Sequence, residues 1–146
     1  MRLADILNVE RSTTSLPPGG KEVALSALAE LFPSLSTDDV LKAFREREAL
    51  ATTGVGSGVA VPHGRLASVD RTMAALAVSR EGVEFESIDG QPAHIFVAIV
   101  APERGDLVKV LARIARLLRD EDVRRQLVAA ADGEQAHDIL VRADGG

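Results

Sequence analysis

Three imidazoles, those of His63, His94 and His137, are the side chains of this sequence best suited to take up a proton or a transferred group near neutral pH. One of them sits in unusual company. In "TTGVGSGVAVPHGR", Thr52 to Arg65, four of the chain's twelve glycines gather around His63, and a proline immediately precedes it. Pro62 removes a backbone donor and fixes φ, so it is expected to end the "VAV" strand and turn the chain outward, leaving His63 on a loop at a strand terminus. Gly64 beside it allows another backbone, or a partner's anion, to approach closely. A neutral imidazole held there is a nucleophile or general base. With backbone N–H groups and Arg65 close by, it could accept a phosphoryl group and have the phosphate oxygens neutralised. Spacing alone leaves a second reading open, in which His63 merely fills a turn and Gly54, Gly56 and Gly58 serve loop geometry.

The same segment excludes several other chemistries. A phosphate-binding P-loop requires G-x-x-x-x-G-K-[ST], and no lysine follows any of these glycines. A dinucleotide fingerprint would need glycine where Val59 stands, and the segment follows a helical pattern and enters a strand, which is the wrong order. A nucleophile elbow around Ser57 would need glycines where Val55 and Val59 stand. The three histidines have no short metal-ligand spacing, so no metal and no cofactor is expected. With no cysteine there is neither a disulfide framework nor thiolate chemistry, which permits a cytoplasmic location.

Composition narrows the partners. The 146 residues suit one compact domain spanning 1–146, with 46% hydrophobic and 27% charged residues. Aromatics are only 3%, without Trp or Tyr, so a core must be built chiefly from Leu, Val, Ile and Ala, and base-stacking platforms are nearly lacking. The formal net charge of -5 argues against nucleic acid. The longest apolar run, "IFVAIVA" at Ile95 to Ala101, falls far short of the ~20 residues that span a bilayer, so no membrane insertion is expected, and the N-terminus lacks the apolar core of a secretory signal.

The positioning elements follow from hydrophobic period. "SLPPGG" marks a turn, and "KEVALSALAELF" after it places Val23, Ala24, Leu28, Leu31 and Phe32 at helical spacing. "STDDVLKAFRERE" reads as a second helix, with Ser36 and Asp39 resembling a capping box and Val40, Leu41 and Phe44 on one face. The middle of the chain then changes period. "GVAV" (58–61), "TMAALAVS" (72–79) and "HIFVAIVA" (94–101) are short apolar runs of the kind found in buried strands, and Asp89-Gly90 offers a tight turn that allows antiparallel neighbours. From Asp106 the period is helical again: Leu107, Val110, Leu111, Ile114, Leu117 and Leu118 form one face, with Lys109, Arg113, Arg116 and Arg119 opposite. One or two shorter helices, broken near Asp132-Gly133, complete the chain. The expected fold class is α/β or α+β: a central sheet flanked by helices.

The stretch "REREALATTGVGSGVAVPHGRL", Arg45 to Leu66, resembles the signature around the phosphorylated histidine of enzyme IIA domains, type 2, in the fructose, mannitol and nitrogen-related branch of the bacterial phosphotransferase system. In that family an R-E pair precedes a T-G-[IV]-G turn, and a short strand ends in P-H-G-[RK]. Weaker agreement runs through "IDGQPAHIFVAIVAPERGD" and "LARIARLLRDEDVRRQL". The resemblance implies a sandwich with a mixed central sheet, and a phosphotransferase component rather than a stand-alone enzyme. His63 would accept a phosphoryl group from the phosphohistidine of the small histidine phosphocarrier protein. Arg47 and Arg65 would orient the imidazole or neutralise phosphate, and Thr53, with Gly64 and nearby amides, would complete the binding set. The expected partners are that phosphocarrier and a IIB domain or a regulated target. One position departs from the family: where many members read G-D-H-L, this chain reads "GDLV", so Leu107 stands where a second active-site histidine is expected. Leu107 is then core or pocket wall, and exchanging it for histidine is expected to speed onward transfer with little effect on stability. The departure favours a regulatory role over sugar uptake, and leaves as the alternative an interaction module that keeps the fold without being phosphorylated.

Overall fold

The computed structural model describes residues 1–145. After a single 3-10 turn at Leu3–Asp5, the chain forms β1 (Leu7–Thr13), α1 (Lys21–Ala29), α2 (Thr37–Leu50), β2 (Gly54–Gly56), β3 (Val59–Ala60), β4 (His63–Arg65), β5 (Met73–Val83), β6 (Ala93–Ala101), α3 (Leu107–Leu117), α4 (Glu121–Val128) and α5 (Gly133–Ala143). The six strands make one mixed sheet in the order β1-β5-β6-β3-β2, with β4 also paired to β6. β5 and β6 are antiparallel, β1 runs parallel to β5, and β3 and β4 run parallel to β6.

Period 2 sorts β5 and β6 onto two cores. Leu76, Val78, Ile95, Val97 and Ile99 face α3, α4 and α5, whereas Ala75, Ala77, Phe96, Ala98 and Val100 face α1 and α2. Both faces are covered, which is why these strands read as continuous apolar runs rather than alternating ones. All four phenylalanines lie on the α1–α2 side, in edge-on pairs Phe32–Phe44 and Phe85–Phe96 at 6.4 and 5.4 Å. The opposite core is wholly aliphatic.

Several elements differ from the sequence reading. β1 was not legible: only Leu7 in it is buried, and a bulge between Leu7 and Ser12 breaks its alternation. The Arg11 guanidinium fills that bulge by donating to the carbonyls of Ala74 and Ile6 at 2.9 Å each. α1 ends at Ala29 rather than reaching Phe32, consistent with Pro33 disfavouring helix at the residue before it. Val23 is 44% exposed, and the inner face is Ala24, Leu25, Leu28 and Ala29. The Asp132-Gly133 break falls where expected and separates two helices, α4 and α5: Asp132 caps α5 by accepting from Gln135 N, and at Gly133 a Cβ would run into the Ser12 carbonyl oxygen of β1. No helix among the described residues is long and apolar enough to cross a membrane.

Candidate functional site

Pro62 does interrupt the strand, but His63 does not leave the sheet. Val59 and Ala60 pair with Ile95 and Phe96, and His63, Gly64 and Arg65 pair with Ile99, Val100 and Ala101 in the same register. β3 and β4 are thus one line along β6, bent at Val61–Pro62, and Ile99 N donates to the Pro62 carbonyl at 2.9 Å. A proline tolerates this place because only its acceptor is used. His63 is therefore the first residue of a short strand, half-buried, and not a loop residue.

The glycine cluster builds a hairpin. β2 and β3 are antiparallel, joined by Ser57 and Gly58 with φ of 58° and 78°, the left-handed pair that a two-residue turn of primed type requires. Asp89 braces it by accepting from Ser57 N at 3.0 Å and also accepts from Gln91 N at 3.1 Å; the Gln91 N–H first, and the Ser57 N–H after it, hold its carboxyl below the usual range. Gly64 serves close packing: a Cβ there would lie 2.7 Å from Ala43 Cβ of α2.

His63 Nδ1–H donates to the Val61 carbonyl at 2.8 Å, and no protein group among the described residues bonds Nε2. The carbonyl fixes the tautomer and leaves the Nε2 lone pair as the acceptor. Burial, with smaller effects of Arg47 and Arg65, lowers the His63 pKa against opposing contributions from the Val61 bond and Glu48. The lowered pKa favours the neutral ring at pH 7, the form a nucleophile needs.

Two concavities meet at His63. One, of about 520 Å³, includes Arg47, Val55, Val61, Leu111, Leu118 and Arg119 in its walls; the other, of about 320 Å³, includes Arg47, Gly64, Arg65 and Leu107. Arg47, Gly64, Arg65 and Leu107 thus come together around the imidazole. Neither arginine hydrogen-bonds it: Arg47 donates to the Ala51 carbonyl at 2.8 Å, and Arg65 to the carbonyls of Pro102 and Gly105 at 2.9 and 3.3 Å. Their charge reaches the ring through space, which suits stabilising a phosphoryl group better than orienting the imidazole. Leu107 is wall and core at once, 7% exposed and packed in the aliphatic cluster, so the expectation that histidine there costs little stability needs correction.

Thr53 requires a correction of role. It is 3% exposed; its N–H donates to Glu48 Oε1 at 3.0 Å and its hydroxyl to Glu48 Oε2, so both donors are taken. Glu48, the acid of the R-E pair, is the residue the sequence reading gave no role. Its side chain is 5% exposed and paired with Lys21 at 2.8 Å. The Thr53 carbonyl accepts from Val61 N at 2.9 Å, so Glu48, Thr53 and Val61 form a brace that ends at His63 Nδ1. The Arg-Glu spacing carried the signal, since a carboxylate next to a helix end can reach the N–H groups that follow. His94 Nδ1 instead bonds the Ser79 carbonyl, and His137 Nδ1 meets Asp138. Among the described residues, no three His, Cys, Asp or Glu side chains cluster as metal ligands.

Comparison with known proteins fits this geometry. A nitrogen regulatory protein of Bradyrhizobium diazoefficiens is 37% identical over 145 residues, covering 96% of this chain and 95% of the relative. The fructose-specific EIIA component of Haloferax volcanii is 34% identical, covering 94% of each. The crystal structure of the nitrogen regulatory protein IIA-Ntr from Neisseria meningitidis superposes with a TM-score of 0.85 at 29% identity, covering 94% of this chain and 98% of that one. The fold is also that of the mannitol IIA enzyme of Escherichia coli solved in complex with phosphorylated IIB, with a TM-score of 0.76 at 22% identity, covering 92% of this chain and 98% of that one. The family model for "Phosphoenolpyruvate-dependent sugar phosphotransferase system, EIIA 2" matches residues 6–143, and the chain belongs to that family.

Proposed function

We propose that this domain is a phosphoryl carrier that accepts phosphate on His63 Nε2 from the phosphohistidine of a histidine phosphocarrier protein, in a regulatory role of the nitrogen type. The observation that carries it is the tie from Nδ1 to the Val61 carbonyl, which leaves Nε2 as the acceptor between two concavities. In the transfer, the Nε2 lone pair forms the new N–P bond as the donor's N–P bond breaks, and the donor imidazole keeps that electron pair. Arg47 and Arg65 stabilise the phosphoryl oxygens in passage. The step needs no cofactor beyond the two imidazoles. Phosphoenolpyruvate as ultimate donor supports a cytoplasmic location, and the family relationship to sugar-specific components supports a IIB domain or a regulated protein as the next partner.

Leu107 supports a second reading, an interaction module that works without phosphorylation, because an apolar side chain fills the wall where another imidazole would help the phosphoryl group onward. One experiment separates the two. The domain is incubated with phosphoenolpyruvate, enzyme I and the phosphocarrier, then examined by intact mass and acid lability. The carrier reading expects one acid-labile phosphoryl group on the wild type and none on His63→Ala. An unlabelled wild type, or a labelled variant, overturns it.

A further inference from the structure

We propose that Lys21 and Glu48 are a positioning pair for phosphoryl transfer: acting through Thr53 and Val61, they hold the His63 ring with its proton on Nδ1 and its lone pair on Nε2. The effect on transfer rate rests on the carrier reading of His63; the effect on the ring does not.

The first observation is that neither charge suits its own helix. Lys21 is the first residue of α1, where free N–H groups disfavour a cation, and Glu48 lies in the last turn of α2, where free carbonyls disfavour an anion. Both are also largely withdrawn from water, with side-chain exposures of 18% and 5%. Each would be unfavourable where it stands without the other, and their contact at 2.8 Å offsets the two charges. A buried pair of this kind adds little net stability over an apolar pair of the same size, so its role lies in what it holds in place.

The second observation is what the pair holds. Both Glu48 oxygens meet Thr53: Oε1 accepts from its N–H at 3.0 Å and Oε2 from its hydroxyl. The Thr53 carbonyl accepts from Val61 N at 2.9 Å, and the Val61 carbonyl accepts from His63 Nδ1 at 2.8 Å. The line of bonds thus runs from the start of α1, through the end of α2 and the β2–β3 hairpin, to the reactive ring. Lys21 reaches the neighbouring threonine as well. Its ammonium lies 3.5 Å from Thr52 Oγ1, which accepts from Gly54 N at 3.1 Å. The same ammonium sits over the Phe85 ring, 4.9 Å from its centroid, which restricts where it can go. Its other carboxylate neighbour, Glu86 at 3.5 Å, is 78% exposed and contributes little.

The third observation is place. Lys21 and Glu48 are absent from the walls of both concavities at His63, so their effect falls on the ring rather than on docking. Glu48 is the one anion among the groups that act on the His63 charge, and Lys21 offsets it. Without Lys21, an uncompensated carboxylate would repel the incoming phosphoryl group and hold Thr53 less firmly. A ring released from the Val61 carbonyl can carry its proton on either nitrogen, and a proton on Nε2 occupies the lone pair that must attack phosphorus.

The test combines NMR of the histidine ring nitrogens in the whole domain with single-turnover labelling of His63 by two donors. One donor is the phosphorylated phosphocarrier. The other is phosphoramidate, a small donor that needs no docking and whose P–N bond breaks, releasing ammonia, as the bond from Nε2 forms. In the wild type the neutral His63 ring should be a single tautomer, protonated on Nδ1. Lys21→Met should let Nε2 carry part of that proton and slow labelling by both donors roughly tenfold, with the half-saturating phosphocarrier concentration unchanged. Lys21→Arg keeps a cation at Glu48 and should preserve both tautomer and rate. Thr53→Val interrupts the line of bonds at its middle and should move the ring and the rate in the same direction; it carries the test if Lys21→Met does not fold. Arg45→Gln removes a different ion pair between α1 and α2, the exposed one with Glu22, and should leave ring and rate as they are. A wild-type ring protonated on Nε2, or variants that keep the wild-type tautomer and rate, overturn the pair. An equal loss in Arg45→Gln or Lys21→Arg overturns it as well, because helix packing would then be the cause. So does a raised half-saturating concentration at unchanged maximal rate, which would place Lys21 in docking. If the phosphocarrier leaves the wild type unlabelled while the ring and phosphoramidate results hold, the carrier reading falls and the positioning pair remains.

Discussion

The bond from His63 Nδ1 to the Val61 carbonyl has a consequence for pH, because the proton that would silence the ring must arrive at Nε2, the nitrogen that reacts. Burial first, and Arg47 and Arg65 after it, hold the pKa below the ordinary 6.5. Phosphoryl acceptance should therefore fall with acid at a midpoint below 6.5, lower than an ordinary imidazole would give. In stability the unfolded chain takes up this proton before the folded one does. The preference of the fold for neutral His63 is complete above pH 6.5 and is lost as pH falls from 6.5 through the lower folded value. An NMR titration of the ring nitrogens checks this; a midpoint at or above 6.5 refutes it. Leu107 offers the other residue-scale test. At 7% exposure it cannot become histidine freely, and Leu107→His is expected to cost about 1–3 kcal/mol through a poorly paired polar group. It shares a concavity with His63, so the same variant should pass phosphate to a IIB domain faster. A destabilised variant that is no faster would show that position 107 does not reach the phosphoryl group.

Between α2 and β4 the helix comes so close that the glycine at 64 has no room for a side chain: the added Cβ would meet Ala43 Cβ at 2.7 Å and the Ala43 carbonyl oxygen at 3.3 Å. Gly64→Ala is expected to destabilise by about 1–3 kcal/mol through overpacking. It should also shift the His63 ring signals, since the strand that carries them must give way; a variant of wild-type stability with unmoved signals would contradict the fit. What the sequence shows of the elements follows from how each one is stabilised. α3 buries one face at helical period, and β5 and β6, buried on both faces, show as continuous apolar runs, so all three are visible in the residues themselves. β1 lies at a sheet edge with one buried side chain and a bulge plugged by Arg11, so its pairing depends on a distant strand that no local pattern reports. His63 was legible because proline and glycine mark its backbone. The Glu48 brace was legible only in its local half, the reach of its carboxylate to the Thr53 N–H just past the helix, because Lys21 is brought to the same carboxylate by the fold alone.

Two cores of different composition share one sheet, and that sharing determines how the whole molecule unfolds. Alternate residues of β5 and β6 belong to the aromatic core under α1 and α2 and to the aliphatic core under α3, α4 and α5. Melting either helical layer alone would strip one face of the central strands and expose apolar surface at roughly 25 cal/mol per Å². The domain should therefore unfold as one cooperative unit across both layers. Two substitutions test this from opposite sides. Phe96→Ala hollows the aromatic core, where Phe96 is fully buried against Phe85, and should cost about 3–5 kcal/mol. Ile114→Val trims the aliphatic core from α3 and should cost about 0.5–1.5 kcal/mol. Without Trp or Tyr to report by fluorescence, the transition is followed by far-UV circular dichroism and by methyl NMR signals from each layer. Each variant should shift one common midpoint for the signals of both layers. If Phe96→Ala moves the α1–α2 signals while those of α3 to α5 keep their wild-type midpoint, the two layers are separate units and the sheet does not couple them.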